Sequence, residues 1–260
     1  MLSNQPFLLE GNHPHHACLL LHGLGGGSFE MQLLGQHLHR NGYTVQALNY
    51  PGHDRKRAIM PASRWEEWYE AVRERYLSLR ERFSCVSIVG FSTGCLLGLH
   101  LAASHDVHRL VCLSPFLAVR HRWYYVLRPE RYLFSIGHLV PFVPRLRPPV
   151  NDPEMARHAE GASYFRTFSL HSARSAVLLI REVKNELGKV QTPILIIQSP
   201  RDRVVDPEGA RYLFGKVGAR FKELHWLRES NHIITIDVER QEVFSRVGQF
   251  LDLTVDETPR

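Results

Sequence analysis

The chain has 260 residues, of which 44% are hydrophobic and 22% charged, with a formal net charge of +6. This balance is typical of a globular domain, and it excludes collagen, low-complexity and wholly disordered chains. No apolar run approaches the roughly 18 residues of a membrane span, and the first ten residues lack the basic and apolar regions of a secretory signal. The four cysteines have no CxxC spacing and are predicted to be buried thiols, so we expect a reducing, cytoplasmic setting.

The excess positive charge belongs to one part of the chain. Residues 115–190 contain twelve Lys/Arg and six Asp/Glu, while the remaining residues contain 20 of each. The same stretch is rich in aromatic side chains and in prolines such as Pro141, Pro144 and Pro148, which break helices and are not tolerated in central strands. We interpret it as an insertion, either a helical subdomain with a solvated basic face or an element that meets an anionic ligand or membrane surface.

In chain order, short apolar runs alternate with helical patterns, which favours βαβ units and a parallel sheet. The runs are continuous rather than alternating, as in strands covered on both faces. The predicted strands are 17–22, 44–49, 85–90, 109–113, 193–198 and 221–227. The predicted helices are 64–82, with a capping box formed by Ser63 and Glu66, then 172–187 and 239–251. The sequence thus predicts an α/β core from residues 1–114 and 191–260, interrupted by an inserted helical cap at 115–190.

Gly90-Phe91-Ser92-Thr93-Gly94 matches the pattern G-x-S-x-G. The five residues alone are a weak signal, but a buried strand runs into them and a helical stretch runs out. In that setting the serine sits on a strained turn at the carboxyl end of a sheet, where its hydroxyl is exposed to substrate. Ser92 is therefore the candidate nucleophile; the alternative is a plain N-cap of the following helix.

A serine hydroxyl needs a base to remove its proton and a carboxylate to orient that base. Asp202 follows the strand 193–198, and His232 lies in the loop after the strand 221–227, which makes them the predicted acid and base. Asp206 is the rival acid, but Pro207 after it makes it a natural N-cap. His225 is the rival base, but it lies inside a strand, where a structural histidine is expected.

Acyl transfer also needs backbone N–H groups that stabilise the oxyanion. Thr93, directly after the nucleophile, is one predicted donor. The glycine loop, residues 23–27, follows an apolar strand and offers Leu24 N–H as the second. A phosphate-binding role for this loop is disfavoured, because it lacks the lysine of G-x-x-x-x-G-K-[ST] and the helix entry of G-x-G-x-x-G.

Other features predict little further chemistry. His13, His15 and His16 are adjacent, but neither a cysteine nor a carboxylate completes a metal-ligand set, so we predict no metal and no cofactor. His22 precedes a glycine turn and is expected to form structural hydrogen bonds. The basic residues form no dense stripe with a groove-entry helix, so nucleic acid is not an expected partner.

Four segments carry a family resemblance: His22-Gly23-Leu24-Gly25, Gly90–Gly94, Ser199–Val205 and Asn231–Asp237. Together they resemble the α/β-hydrolase superfamily, and within it the bacterial carboxylesterase and monoacylglycerol lipase branch. The resemblance spans about residues 15–252. It implies Ser92 as nucleophile, Asp202 as acid, His232 as base, the Leu24 and Thr93 amides as oxyanion hole, and a cap over the site. The chain has Ser230-Asn231-His232 where that branch usually has Ser-Gly-His.

We therefore expect a serine hydrolase that cleaves carboxylic esters with an apolar acyl chain, as a carboxylesterase or a monoacylglycerol or lysophospholipid lipase. The alternatives are an acyltransferase or thioesterase on the same fold, or a non-catalytic binding protein. The insertion contains a set of arginines, and Glu130 is the only acidic residue close to them in the sequence. This excess of positive charge suggests peripheral contact with an anionic membrane surface. These are Arg120, Arg122, Arg128, Arg131, Arg145 and Arg147.

Overall fold

The computed structural model describes residues 1–120, 133–134, 140–145 and 147–253. The strands are β1 Phe7–Leu9, β2 His16–Leu21, β3 Thr44–Ala47, β4 Cys85–Phe91, β5 Leu110–Leu113, β6 Phe142–Pro144, β7 Thr167–Ser169, β8 Ile194–Gln198 and β9 Lys222–Trp226. The helices are α1 Gln32–Arg40, α2 Trp65–Arg80, α3 Thr93–Ala102, α4 Pro153–Ala162, α5 Leu170–Glu186, α6 Glu208–Lys216 and α7 Arg240–Asp252, with 3₁₀ turns at Ser28–Glu30 and Leu187–Lys189.

Within the described residues, the central sheet has seven strands in the order β1-β3-β2-β4-β5-β8-β9. All neighbours pair in parallel except β1, which is antiparallel to β3. The inner strands β2, β5 and β8 are buried at every residue, as their continuous apolar runs predict. The edge strand β9 is only partly buried, because it has a strand neighbour on one side alone. The sequence did not predict the antiparallel strand β1.

Helices cover both faces of the sheet, so the fold is the predicted α/β-hydrolase arrangement. Alternate residues of the strands enter two separate hydrophobic clusters. Helices α2, α3, α5 and α6 bury their apolar sides in one cluster, and α1 and α7 bury theirs in the other. Such two-sided burial explains why the strands are apolar throughout.

Two local predictions are wrong in detail. Helix α2 begins one residue later than the Ser63–Glu66 capping box requires: Arg64 is the N-cap, and its N–H donates to Glu67 at 2.8 Å. The Ser63 hydroxyl instead accepts the Trp68 indole N–H at 3.0 Å, which ties the loop to the buried indole. Of the four thiols, Cys85 is only partly buried, because it opens β4 at the rim of the sheet.

The described residues of the predicted insertion include a small second sheet and the helices α4 and α5. Strands β6 and β7 pair antiparallel, α4 lies between them in sequence, and α5 packs against α2 and α3 of the core. Arg122, Arg128 and Arg131, three of the arginines predicted to meet an anionic surface, lie outside the described residues, as does Glu130. No helix in the described ranges is both long and apolar enough to span a bilayer.

Candidate active site

The predicted functional residues follow four different strands at one edge of the sheet. The glycine loop follows β2, Ser92 follows β4, Asp202 follows β8 and His232 follows β9. Because these four strands are parallel members of the same sheet, their carboxyl ends meet on one side of the molecule. The topology alone therefore collects residues that are up to 208 positions apart in the chain, from Leu24 to His232.

Ser92 stands on a sharp turn between β4 and α3. Its φ of 53° lies in the left-handed region, which is strained for a residue with a side chain. The positions on either side must be glycine because other backbone atoms lie too close to leave room for a Cβ. A Cβ at Gly90 would lie 2.6 Å from the carbonyl carbon of Gly94, and one at Gly94 would lie 2.3 Å from the Leu21 oxygen. The pattern G-x-S-x-G is thus the steric condition for this turn.

Three side chains form a continuous hydrogen-bond chain. The Asp202 Oδ2 atom lies 2.7 Å from His232 Nδ1, and His232 Nε2 lies 3.0 Å from Ser92 Oγ. All three residues are buried. The rivals lie elsewhere: Asp206 accepts the N–H of Glu208 at the start of α6, and His225 lies 2.7 Å from Glu242.

The electrostatics of Asp202 suit an orienting carboxylate. Burial raises its pKa. The charge and hydrogen bond of His232 and the N–H groups of Val204 and Val205 lower the pKa by more than burial raises it. The net effect holds the pKa of Asp202 below its ordinary value, so this carboxylate is ionised at neutral pH. An ionised Asp202 keeps the Nδ1 proton of His232 in place and leaves Nε2 free to accept the serine proton.

The hydrogen bonds of the glycine loop leave one amide available. The N–H groups of Gly23, Gly25 and Gly26 donate to Glu30, to His53 and to a carbonyl within the loop, respectively. Leu24 N–H has no acceptor among the described residues, and Thr93, as the first residue of α3, has no acceptor within its own helix. The two amides predicted as oxyanion donors are thus free to bind a substrate oxygen.

Two residues not identified from the sequence hold this loop in shape. The buried Glu30 accepts Gly23 N–H at 2.9 Å, and burial raises its pKa against the opposing effect of the Gly23 and Gly27 amides. His53 Nε2 accepts Gly25 N–H at 3.0 Å, and burial lowers the pKa of His53 to about 4. His53 is therefore neutral at pH 7 and can act as an acceptor. Neither residue belongs to a recognisable motif, and only their place in the fold reveals them.

The histidine loop, residues 228–239, is anchored by its own carboxylates. Glu239 accepts the N–H groups of residues 228, 229 and 230 at 2.7–2.9 Å, and Asp237 accepts Asn231 N–H at 2.6 Å. Burial raises the pKa of Glu239, but these hydrogen bonds outweigh it and hold the pKa below its ordinary value. The Ser114 hydroxyl donates to the His232 carbonyl at 2.9 Å. These contacts fix the imidazole from its backbone side.

Asn231, the residue that departs from the resembled pattern, connects three segments. Its Oδ1 accepts the N–H of Arg203 at 3.1 Å, and its Nδ2 donates to Asn151 at 3.4 Å. It therefore joins the loop of Asp202 and the histidine loop to the inserted segment before α4. A glycine at position 231 would lack all of these side-chain contacts.

Ser92 and His232 open into a cavity of about 1270 Å³. The core contributes one wall of the cavity and the inserted segment the other. Much of the lining is apolar or aromatic, which suits an acyl chain. The apolar lining residues include Leu24, Phe91, Phe116, Val119, Val143, Pro144, Val150, Phe168, Val204 and Ile233.

The arginines predicted from the sequence fall into different places. Arg145 lines the cavity, but it donates to Gly25 O and, at 2.7 Å, to Ser163, and it lies over the ring of Phe168. It therefore ties the inserted segment to the glycine loop and does not face a membrane. Arg147 lines the cavity with an exposed side chain. Arg120 is not among the lining residues, and its backbone N–H donates to the carbonyl of Val204.

The histidines near the N-terminus are not among the residues that line the cavity, although His22 adjoins the glycine loop. His16 is buried 2.7 Å from Ser87, and burial lowers its pKa to about 3. His13 stacks on Tyr43. His22 donates to Gly23 O at 2.8 Å and stacks on Tyr50, so it forms the structural hydrogen bonds that its position before a glycine turn predicts.

Comparisons with known proteins found a matching family model and several similar proteins. A family model described as Hydrolase_4: Serine aminopeptidase, S33, matches residues 12–239. A carboxylesterase of Bacillus subtilis (strain 168) is 26% identical over 253 residues, covering 97% of this chain and 98% of that protein. A thermostable monoacylglycerol lipase of Bacillus sp. (strain H-257) is 28% identical over 261 residues, covering 96% and 98%. A solved structure from work on two metagenome-derived lipolytic enzymes matches with a TM-score of 0.81 at 23% identity, covering 96% and 97%.

Proposed function

This chain belongs to the Hydrolase_4 family of α/β-hydrolases, described as serine aminopeptidase S33, and we propose that it cleaves carboxylic esters through an acyl-enzyme on Ser92. It is a serine ester hydrolase of the carboxylesterase and monoacylglycerol lipase branch. The observation that carries the assignment of residues is the hydrogen-bond chain from Asp202 through His232 to Ser92, opening into a largely apolar cavity.

In the proposed mechanism, Ser92 Oγ attacks the ester carbonyl carbon while its proton moves to His232 Nε2. The carbonyl oxygen becomes an oxyanion that accepts from Leu24 N–H and Thr93 N–H, each worth about 3 kcal/mol of barrier. As the tetrahedral intermediate collapses, His232 returns the proton to the departing alcohol and the acyl group stays on Ser92. Water then attacks the acyl-enzyme with His232 as base, releasing the acid and restoring the serine.

The charge of the cavity favours ester over aminopeptidase substrates, although the family description names the latter. An aminopeptidase must hold the ammonium group of its substrate, which calls for carboxylates in the pocket. Among the described residues, four arginines line the cavity against two carboxylates. Of those two, Glu30 accepts a loop amide and only Glu160 is exposed. A cationic cavity repels an ammonium group, while an uncharged ester with an apolar acyl chain fits the apolar wall.

The inserted segment 115–190 is proposed as the cap that encloses the acyl chain, with α5 anchoring it on the core. Val143 and Phe168 of the small sheet line the cavity. The cytoplasm remains the proposed location, since buried thiols such as Cys18 and Cys112 suit a reducing compartment.

We also propose that the cap contacts anionic membranes peripherally. Val140 and Phe142 are exposed by 41% and 38%, and Arg147, five residues after Phe142 in the chain, is exposed as well; such apolar and basic groups bind headgroup regions together. Phe142→Ser should lower cosedimentation with phosphatidylglycerol vesicles about fivefold, estimated from loss of one inserted aromatic group. Leu77→Ser on α2, also 38% exposed, is the control. Equal binding by both variants would refute the contact.

A fluorophosphonate probe followed by peptide mass analysis tests the catalytic proposal. We expect one adduct, on Ser92, and no adduct in Ser92→Ala. Turnover of p-nitrophenyl esters from acetate to decanoate should then rise with chain length, because longer chains bury more apolar area in the cavity. An unlabelled Ser92 in a folded protein would identify a binding protein instead, and product analysis in the presence of alcohols would reveal acyl transfer.

A further inference from the structure

The cavity carries positive charge that the protein itself does not neutralise. The mouth arginines, defined as Arg147, Arg157 and Arg203, come from three separate segments, and the fold brings all three to the cavity with their side chains exposed. None of them has a carboxylate within 4.0 Å among the residues that the structure describes. Of the carboxylates that the described part of the lining contains, Glu160 is exposed and Glu30 is buried.

Several arginines elsewhere on this surface pair with carboxylates. Arg82 binds Glu10 at 2.9 Å, and Arg211 binds Glu208 at 3.1 Å. The comparison is sharpest in the loop of Asp202. Arg201 pairs with Glu229 at 2.9 Å, while Arg203, two residues later, turns to the cavity and has no such partner. Unneutralised charge is therefore a property of the cavity side of this loop.

A single exposed arginine interacts weakly with an anion in water, but several of one sign around a concave, partly apolar site reinforce one another. Guanidinium groups also match the planar oxygens of carboxylates and phosphates in bidentate geometry. Resting on the proposed ester hydrolysis, we propose that the mouth arginines recognise an anionic group, phosphate or carboxylate, on the substrate, so that the preferred substrates are acyl esters of anionic alcohols.

Three octanoyl esters that differ only in the alcohol test this: those of glycerol, glycerate and glycerol 3-phosphate, below their aggregation limits and without vesicles. We expect kcat/KM to rise from the neutral to the monoanionic to the dianionic ester, by about tenfold overall at low salt. The advantage should shrink at high ionic strength, where exposed charges are screened. The two anionic esters also separate a carboxylate from a phosphate preference.

The preference for anionic esters should fall stepwise in Arg203→Gln, in Arg157→Gln and in the triple variant that adds Arg147→Gln. The kcat/KM for the glycerol ester should stay unchanged. Arg201→Gln, whose side chain is held by Glu229, is the matched control and should keep the wild-type ratio. Arg145 is left intact because it bonds to the glycine loop.

The outcomes separate the two proposals. Equal or higher kcat/KM for the glycerol ester, without salt dependence, would overturn anion recognition while ester hydrolysis stands. A preference that survives in the triple variant would also overturn it. If the enzyme hydrolysed none of the three esters and did not hydrolyse p-nitrophenyl butyrate either, that result would instead count against the proposed function itself.

Discussion

The two walls of the cavity are built differently. On the core side, the catalytic candidates are buried, and the carboxylates of Glu30 and Glu239 accept backbone N–H groups of the loops that carry them. On the cap side, Arg147, Arg157 and Phe142 are exposed, and the elements are short. A rigid wall is suited to holding atoms for chemistry, and an open one to selecting substrates. The difference predicts that core substitutions change kcat, while cap substitutions change KM and selectivity.

Removing the base should give the largest effect. His232→Ala is expected to lower kcat by about a millionfold, because without a base the serine proton has no acceptor. The control His225→Ala removes the rival histidine, which lies beside Glu242 on the edge strand, and should leave kcat within about twofold. Steady-state kinetics with p-nitrophenyl butyrate measures both. Comparable losses in the two variants would place the base outside the proposed chain.

The orienting acid should come next. Asp202→Asn is expected to lower kcat by about 10⁴-fold, because the amide favours the wrong tautomer of His232 while preserving the packing. Asp206→Asn is the control, since Asp206 accepts an amide in α6 and lies outside the hydrogen-bond chain. The same kinetic assay applies, with circular dichroism to verify folding. A greater loss in the Asp206 variant would reverse the assignment.

The sequence predicted the core because the physics there is local and strong. Continuous apolar runs specify buried parallel strands, and G-x-S-x-G between a strand and a helix specifies the turn at Ser92. Predicting Asp202 and His232 needed the chain order Ser, Asp, His, the position of each after a strand, and reasons to set aside Asp206 and His225. The cap was less predictable: β6 and β7 are three residues each, and one of them contains Pro144, so their pairing depends on tertiary contact.

The supporting residues were missed for a different reason. Glu30 is the last residue of a 3₁₀ turn and His53 lies in an irregular loop, so neither is marked by a periodic pattern or a motif. Their roles come from accepting amides of the glycine loop, in contacts that join Glu30 to Gly23, seven residues away, and His53 to Gly25, 28 residues away. Four glycines in that loop would have suggested that its amides need acceptors, but not which side chains supply them.

His53 makes the core wall sensitive to pH. Its pKa is lowered from an ordinary value of 6.5 to about 4 by burial, so between these values the unfolded chain binds a proton that the folded chain does not. Stability should therefore be complete above about pH 6.5 and fall by about 3 kcal/mol as the pH drops to about 4. His53→Gln keeps an acceptor for Gly25 N–H but does not titrate.

Urea unfolding of both proteins across this pH range checks the assignment. The wild type should lose stability relative to His53→Gln as the pH falls, while His171→Gln, at an exposed position, should follow the wild type. A constant difference between wild type and His53→Gln at all pH values would show that His53 does not bind the proton in question.

A substitution at Glu30 tests whether the core wall supports catalysis by holding the glycine loop in position. Glu30→Gln retains one acceptor oxygen but places an amide where the carboxylate faces the glycine loop, so Leu24 N–H should shift from its position. We expect kcat to fall about tenfold with KM nearly unchanged, less than the loss of an oxyanion donor itself. Glu160→Gln removes the other carboxylate of the cavity lining and should leave kcat unchanged. A change confined to KM would make Glu30 a substrate contact.

The smallest effect is expected on the cap wall. Val143→Ala removes two methyl groups from the cavity lining, worth about 1 kcal/mol when they are partly buried by an acyl chain. KM for p-nitrophenyl octanoate should rise about fivefold with kcat retained, and the acetate ester, too short to reach the cap, should be unaffected. Val140→Ala, three residues away and 41% exposed, should change neither. If Val143→Ala lowered kcat for the acetate ester as well, the cap would also position the reacting atoms. The assignment of kcat effects to the core wall and KM effects to the cap wall would then be wrong.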